Sequence, residues 1–288
     1  MKTNAITRII IFSITIVILL GILLWGMSFD GFSFSPVSIS IGDSDMKDAN
    51  VAARGQEVHV DASKVKDLDI LWVAGNITVQ PGDTDEIVFI ESGVRDDRYL
   101  MVWKQTGSKL TIQFCKTSTT SINLDDSLSK DLTITVPQDW ICNSLDIDAA
   151  AANVDVCDLT IRDVDMDSAS GTAVFTNCAV DTIDMDTASG DAKFYGSLRE
   201  LDCDAASANF YAELTNVPTR IDMDSMSGDM DITLPADSGF SVSMDAMSGD
   251  FSSDFETSIR NGNYVHGDGA CRIDFSGMSG DLNIRKGN

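Results

Sequence analysis

The stretch IDMDSMSGDMDITLP, residues 221–235, alternates apolar and polar residues on both sides of a Ser-Gly-Asp triplet. Alternation with a period of two is typical of short strands that bury one face. Glycine tolerates a tight bend, and a following Asp or Asn is typical of turns because its side chain bonds to its own backbone. The stretch therefore predicts two short strands joined by a corner.

Six related stretches complete a series of seven, which can be aligned on the residue four places before the small corner residue. The anchors are Asp148, Asp167, Asp186, Asp204, Asp224 and Asp245, with Ser276 in the last copy. The corner positions are Gly171, Gly190, Gly228, Gly249 and Gly280, with Ala152 and Ala208 in the two remaining copies, where we expect a less tight bend. A two-strand unit cannot bury its apolar face alone, but copies stacked about 4.8 Å apart build a continuous core. The repeat predicts an all-β, single-stranded β-solenoid, or β-helix, of stacked short strands.

Residues 9–27 form an apolar run without a charge, preceded by Lys2 and Arg8. This length is sufficient for a helix to cross a bilayer. A cleaved signal peptide usually has a shorter apolar core that ends in small residues, whereas large residues close this run. Basic residues on the amino side favour a cytoplasmic N-terminus. We expect a single-pass protein with three parts: a cytoplasmic N-terminus and transmembrane helix at 1–27, a juxtamembrane linker at 28–55, and an extracytoplasmic repeat domain, with wider coils at its amino end, at 56–288.

The chain is strongly acidic, with 45 acidic and 20 basic residues and a formal net charge of −25. All of the acidic residues lie beyond the apolar run. Such a surface repels nucleic acid and anionic lipid, so no nucleic-acid partner is expected. Divalent cations and basic partners remain compatible with it.

The six cysteines are widely spaced and form no Cys-x-x-Cys pair, and the chain has only two histidines. A zinc site is therefore not expected. An even number of cysteines in an exported protein permits disulfides. Cys203, however, occupies an inward position of the repeat where other copies have Met, which favours small buried hydrophobic residues over disulfides.

The anchor aspartates form one outward column and the aspartates two residues earlier form a second. Like charges about 5 Å apart repel, and Ca²⁺ prefers oxygen ligands of this kind. A divalent-cation ladder at Asp148, Asp167, Asp186, Asp204, Asp224 and Asp245 would relieve the repulsion. Calcium-binding β-rolls use more glycine than this repeat does, so a solvated acidic face is the preferred interpretation and weak Ca²⁺ binding the alternative. No cofactor is expected.

Several stretches together resemble a known family. They are WVAGNITVQPGDTDEIVF (72–89), KDLTITVP (130–137), the repeated SGD, and GNYVHGDGACRIDFSGMSGDLNI (262–284). They are similar to the bacterial β-strand-repeat family known as toastrack-like or putative-adhesin, and the likeness covers nearly all of the chain after the linker. The resemblance implies a β-helical stack, often membrane-attached and associated with envelope stress systems, without catalytic residues.

Catalytic motifs are missing from the sequence. There is no Gly-x-Ser-x-Gly elbow and no P-loop, and the paired carboxylates follow the whole repeat instead of converging at one cleft. We therefore expect a non-enzymatic scaffold for binding or sensing at the bacterial cell envelope. A surface adhesin is the alternative, and a polysaccharide-active β-helix enzyme is a weaker third. The expected partners are the membrane, through residues 9–27, and an envelope or membrane protein or a second copy of the chain.

The last gap between anchors is longer than the others and contains the segment 258–270. Asn261-Gly262 within it predicts a tight hairpin, either as a cap on the end of the stack or as a protrusion that binds a partner. The final apolar strand, 282–284, lies close to the C-terminus. We expect this strand to form the end of the stack and to expose an unpaired edge unless the hairpin covers it.

Overall fold

The computed structural model describes Met46 and residues 48–116 and 129–287. The described chain is almost entirely β-structure, as predicted, with short 3-10 turns at Ala62–Lys64 and Asp97–Tyr99. The strands are β1 (Asn50–Val51), β2 (Val58–Asp61), β3 (Asp67–Gly82), β4 (Glu86–Ser92), β5 (Val102–Thr106), β6 (Lys109–Gln113), β7 (Asp131–Pro137), β8 (Ile141–Cys157), β9 (Thr160–Ser170), β10 (Thr172–Leu214), β11 (Arg220–Ser227), β12 (Met230–Leu234), β13 (Phe240–Ser248), β14 (Phe251–Ser253), β15 (Ser258–Arg260), β16 (Asn263–His266), β17 (Cys271–Ser279) and β18 (Leu282–Lys286).

The transmembrane helix predicted at residues 9–27 lies outside the described residues, as does most of the linker predicted at 28–55. Within the described part of the chain, no helix has the length and apolar character needed to span a bilayer.

The repeat forms a parallel stack whose register matches the sequence alignment. The residue before the anchor pairs with its equivalent in the next coil, from Ile147 to Met166 to Met185, and again from Cys203 to Met223. These side chains are between 0% and 3% exposed. Residues after the corner pair in the same way. The inward side chains of the two strands in each coil therefore build one continuous apolar core.

The corner glycines lie where the chain turns between the two strands of a coil. At Gly190, φ is 126° and a Cβ would lie 1.9 Å from the carbonyl oxygen of Gly171 in the preceding coil. A side chain there would collide with the backbone of its neighbour. Ala152 and Ala208 keep negative φ angles and bury their methyl groups, and β8 and β10 continue through these two corners without interruption.

The amino end of the stack departs from a simple solenoid. β6 and β7 pair in parallel with the two halves of β3, as a wide coil would. Beyond them the strands are antiparallel: β5 pairs with β6, β4 pairs with β7, β2 pairs with β4, and β1 pairs with β5. A wholly single-stranded solenoid is thus the wrong description of this end. Its antiparallel strands close the sheet edge that the first coil would otherwise expose.

At the carboxyl end the spatial order of the coils differs from their order in the chain. β17 pairs with β11 on one side and β13 on the other, and β18 pairs with β12 and β14. The last coil of the sequence is therefore inserted between the two coils before it. The prediction that 282–284 forms the open end is wrong, because the long 258–270 segment lets the chain turn back. The outermost coil is β13–β14.

The predicted hairpin is present as β15 and β16, with Asn261 and Gly262 at φ 53° and 90° in its turn. β16 pairs antiparallel with Phe240–Val242 of β13. Tyr264 stacks on Phe251 with their ring centroids 4.5 Å apart. The hairpin therefore caps one part of the outermost coil, as the first of the two interpretations predicted.

Candidate functional site

The two aspartate columns are in register along the stack. In the anchor column Asp148 pairs with Asp167 and Asp167 with Asp186, while Asp204 pairs with Asp224. Ser276 interrupts this column between Asp224 and Asp245 because of the inserted coil. The second column consists of Asp146, Asp165, Asp184, Asp202, Asp222 and Asp274.

The columns raise the pKa values of several of their members. Partial burial and, after it, the neighbouring carboxylates of Asp167 and Asp204 together raise the pKa of Asp186 to about 7. The pKa values of Asp146 and Asp204 are raised to about 6, again first by burial and second by neighbouring carboxylates. The aspartate columns therefore hold carboxyl groups whose pKa values lie well above the ordinary value of aspartate.

Basic side chains lie beside the second column near both ends of the stack. Lys109 Nζ is 2.6 Å from Asp69 Oδ2 and 3.8 Å from Asp146 Oδ2. Near the carboxyl end, Arg220 pairs with Asp222, and Arg272 pairs with Asp274 at 2.5 Å. These pairs are partly exposed, so each one contributes little to stability.

The residue that follows the corner forms a hydrogen-bonded ladder from coil to coil. The side-chain oxygen of Asn209 accepts from the backbone N–H of Asp229 at 3.0 Å, and that of Asp229 accepts from the N–H of Asp281 at 2.9 Å. Asp281 in turn accepts from the N–H of Asp250 at 2.8 Å. We expected these side chains to bond to their own backbone, but they join neighbouring coils instead. The Asp of Ser-Gly-Asp therefore has a structural role.

The predicted calcium ladder stays a prediction. Among the described residues, no three or more His, Cys, Asp or Glu side chains are grouped in a way that could hold a metal ion. The six anchor aspartates lie at the outer face in successive coils rather than around one centre.

All six cysteines are unpaired in the structure. Five are buried, and Cys157 is partly exposed. Burial raises the pKa of the Cys203 and Cys271 thiols to about 12, which suppresses the reactive thiolate. The five buried cysteines therefore serve as small core residues, the role that the sequence favoured.

One buried ion pair was not evident from the sequence. Lys130 Nζ bonds to Glu91 and to two backbone carbonyls, those of Tyr99 and Phe114, which uses its three protons. It lies 4.7 Å from the ring centroid of Trp72 and 4.2 Å from that of Phe114. Burial lowers the pKa of Lys130, and the Glu91 carboxylate opposes that change. Because every group is satisfied and enclosed, the pair fastens the amino end instead of offering a site.

Solved structures similar to this chain include three bacterial proteins of low identity. A putative cell adhesion protein from Clostridium sporogenes is 9% identical, with 81% of this chain and 99% of that chain covered and a TM-score of 0.39. A putative adhesin from Bacteroides fragilis is 15% identical, with 80% and 97% covered and a TM-score of 0.43. A putative lipid binding protein from Parabacteroides distasonis is 11% identical, with 83% and 98% covered and a TM-score of 0.31.

No curated protein matches the chain. A family model does match, in two segments that together span nearly the whole of the described repeat, residues 65–200 and 195–285. The chain belongs to the Toastrack DUF4097 family.

Proposed function

We propose that this protein is a non-enzymatic scaffold, anchored in the bacterial cell membrane by residues 9–27, whose extracytoplasmic stack binds a partner at the cell envelope. The observation that carries the proposal is the distribution of the polar side chains. The carboxylates lie in register from coil to coil along the stack. Hydrolysis of a glycosidic bond needs two carboxylates that face each other across the substrate, not a column along one face.

The stack suits a binding role because it is rigid and presents a long surface. Its core is continuous, and its corners are joined by side-chain to backbone bonds between coils. Rigid scaffolds lose little conformational entropy on binding. A role in envelope stress sensing would place the partner close to the membrane, within reach of the short linker at 28–55. An adhesin would instead need to reach beyond the cell surface.

Membrane topology can be tested with engineered cysteines, because five of the six native thiols are buried and give a low background. We expect a membrane-impermeant maleimide to label Asp237→Cys in intact, wall-stripped cells, since residue 237 is exposed on the repeat domain. Lys2→Cys is the matched control and should react only after lysis. Labelling of Lys2→Cys alone in intact cells would refute the orientation, and a secreted product beginning near residue 28 would refute the anchor.

The binding role needs a separate measurement. Formaldehyde treatment of intact cells should convert the full-length chain into a discrete adduct of higher mass. If the chain, expressed at its native level, forms no adduct under cross-linking, the scaffold role is contradicted, whatever the outcome of the topology test.

A further inference from the structure

Three exposed methionines form a ladder at the carboxyl end of the stack. Met226, Met278 and Met247 are 44%, 54% and 84% exposed. They occupy the same position of the repeat, two residues after the anchor, and their flanking residues pair in register across β11, β17 and β13. The earlier coils have alanine at this position, at 150, 169, 188 and 206. The large apolar side chains are thus confined to the three outermost coils.

The methionine ladder ends at an open strand edge. β16 covers β13 only along Phe240–Val242, and beyond that point the described strands pair with β13 and β14 on one side only. The carbonyls of Ser248 and Asp250 accept from Gly280 and Leu282 on the covered side, at 3.1 and 3.0 Å. Backbone groups alternate between the two sides of a strand, so those of Phe251 point to the open side.

The core is also incompletely covered at this edge. Met244 and Phe251 remain partly exposed, even though Tyr264 of the hairpin stacks on the Phe251 ring, whereas their equivalents in the adjacent inserted coil, Phe275 and Leu282, are at most 1% exposed. An additional strand would bury both side chains and satisfy the open backbone groups. The open edge and the methionine ladder are continuous, because Met247 belongs to both.

Carboxylates surround this surface. Asp224 and Asp229 flank Met226, and Asp245 and Asp250 flank Met247, and all four are exposed. An occupant with a similar acidic surface, such as a second copy of this chain, would bring like charges together. An anionic lipid surface would be repelled in the same way. A cationic occupant would gain from both the carboxylates and the thioethers, which adapt their shape to apolar side chains.

We propose that the methionine ladder and the open edge at residues 243–253 form a docking surface for an extended, basic segment of a protein partner. The segment adds one strand to β13–β14 and places apolar side chains over Met244 and Phe251 on the inner face. On the outer face it directs lysine or arginine side chains toward the flanking aspartates, with their methylene stems against Met247. This proposal rests on the binding role proposed above and adds the chemistry of the partner.

The test uses the full-length chain in a non-ionic detergent and a short fluorescent peptide of alternating lysine and valine. We expect saturable binding by fluorescence anisotropy that weakens as salt rises. The triple variant Met226→Ser, Met247→Ser and Met278→Ser should bind about tenfold more weakly, as expected when central apolar contacts are removed. Ile141→Ser is the matched control, because Ile141 is 47% exposed at a distant strand, and its affinity should not change.

Two altered peptides separate the contributions of charge and backbone. A glutamate–valine peptide should not bind, and a lysine–valine peptide with N-methyl groups on alternate residues should lose most of its affinity, because it cannot form a strand ladder. Equal affinity of the wild-type chain and the methionine variant for the lysine–valine peptide would overturn the proposal. Undiminished binding of the N-methylated peptide would do so as well.

Two further measurements test whether a second copy of the chain or a lipid surface occupies this surface instead. If the wild-type chain dimerises in sedimentation velocity and the methionine variant does not, the occupant is a second copy and the proposal is wrong. If the wild-type chain binds phosphatidylglycerol vesicles through the same methionines, the occupant is lipid and the proposal is likewise wrong. Each of these results leaves the maleimide and cross-linking tests of the proposed function intact, so the two failures can be told apart.

Discussion

Replacing Asp186 with Asn tests whether the aspartate columns carry unfavourable charge. The pKa of Asp186 is raised from 3.8 to about 7 by partial burial and by the carboxylates of Asp167 and Asp204. Folding favours the protonated form of a carboxyl group whose pKa is higher in the folded state than in the unfolded state. Its contribution to stability is therefore present below pH 4 and is lost as the pH rises through 7. Asparagine has a similar shape and no charge, so the variant does not suffer this loss.

The magnitude of the effect follows from the size of the shift. A shift of about three pKa units, at about 1.4 kcal/mol each, sets an upper limit of about 4 kcal/mol on the change in the free energy of unfolding that the substitution causes. Asp186 is only partly buried, and solvent screens its interactions with its neighbours. We therefore expect about 1–2 kcal/mol. For a domain of this size that corresponds to a rise in Tm of about 2–8 °C at pH 8.

The assay is thermal unfolding of the wild-type and variant chains, followed by circular dichroism between pH 4 and pH 8. The difference in Tm should be near zero at pH 4 and should grow through the neutral range. Asp237→Asn is the matched control, since it removes the same charge from an exposed position outside the columns. A gain for Asp186→Asn that equals the control, or that is independent of pH, would refute the reasoning.

Three other perturbations address the corners, the columns and the buried pair. Gly228→Val should lower the free energy of unfolding by about 2 kcal/mol or more, because a Cβ there would lie 1.8 Å from the Ala208 carbonyl oxygen. An unchanged midpoint of chemical denaturation would contradict this. Millimolar CaCl₂ should change Tm no more than NaCl of equal ionic strength, whereas a calcium-specific rise that is lost in the triple variant Asp167→Asn, Asp186→Asn and Asp224→Asn would establish a cation ladder. Lys130→Met should cost about 3–5 kcal/mol, because Glu91 would remain buried without its partner, and a double variant that also carries Glu91→Leu should recover much of that loss in the same measurement.

The central part of the fold could be predicted from the sequence because its signals are local and repeated. The inward pairs around Met166, Met185 and Met223 define the register, and each copy of the pattern confirms the others. The corner role of the Ser-Gly-Asp triplet also follows from local chemistry. The destination of its Asp side chain did not, because the backbone N–H that donates to it belongs to another coil, 52 residues away in the sequence for Asp229 and 31 residues away for Asp281.

The strand order at the two ends could not be predicted in the same way, because the repeat defines the register of a coil but not which coil lies beside it, and the antiparallel strands of the amino end lie outside the repeat. The inserted position of β17–β18 depends on pairing between strands some 50 residues apart, and Ile273 fits beside Ile221 as well as it fits beside Val242. The buried Lys130–Glu91 pair joins two residues 39 positions apart, and the stretch KDLTITVP that begins with Lys130 indicates a strand but not an ion pair. The exposed methionines are the same residue type as the buried ones. Only their position distinguishes them, because they lie two residues after the anchor and the buried Met166, Met185 and Met223 lie one residue before it.

Specific recognition by this molecule requires a feature that the repeat does not duplicate. A partner that contacted only the aspartate columns would find nearly the same chemistry about every 4.8 Å, and could bind in several registers with similar free energy. The amino end is unique, but antiparallel strands and the Lys130–Glu91 pair close it. At the carboxyl end, the inserted coil leaves β13–β14 outermost and the hairpin covers only part of it. Among the described residues, the methionine ladder and the open edge combine features that the repeat does not duplicate, which is why the proposed docking surface is placed there.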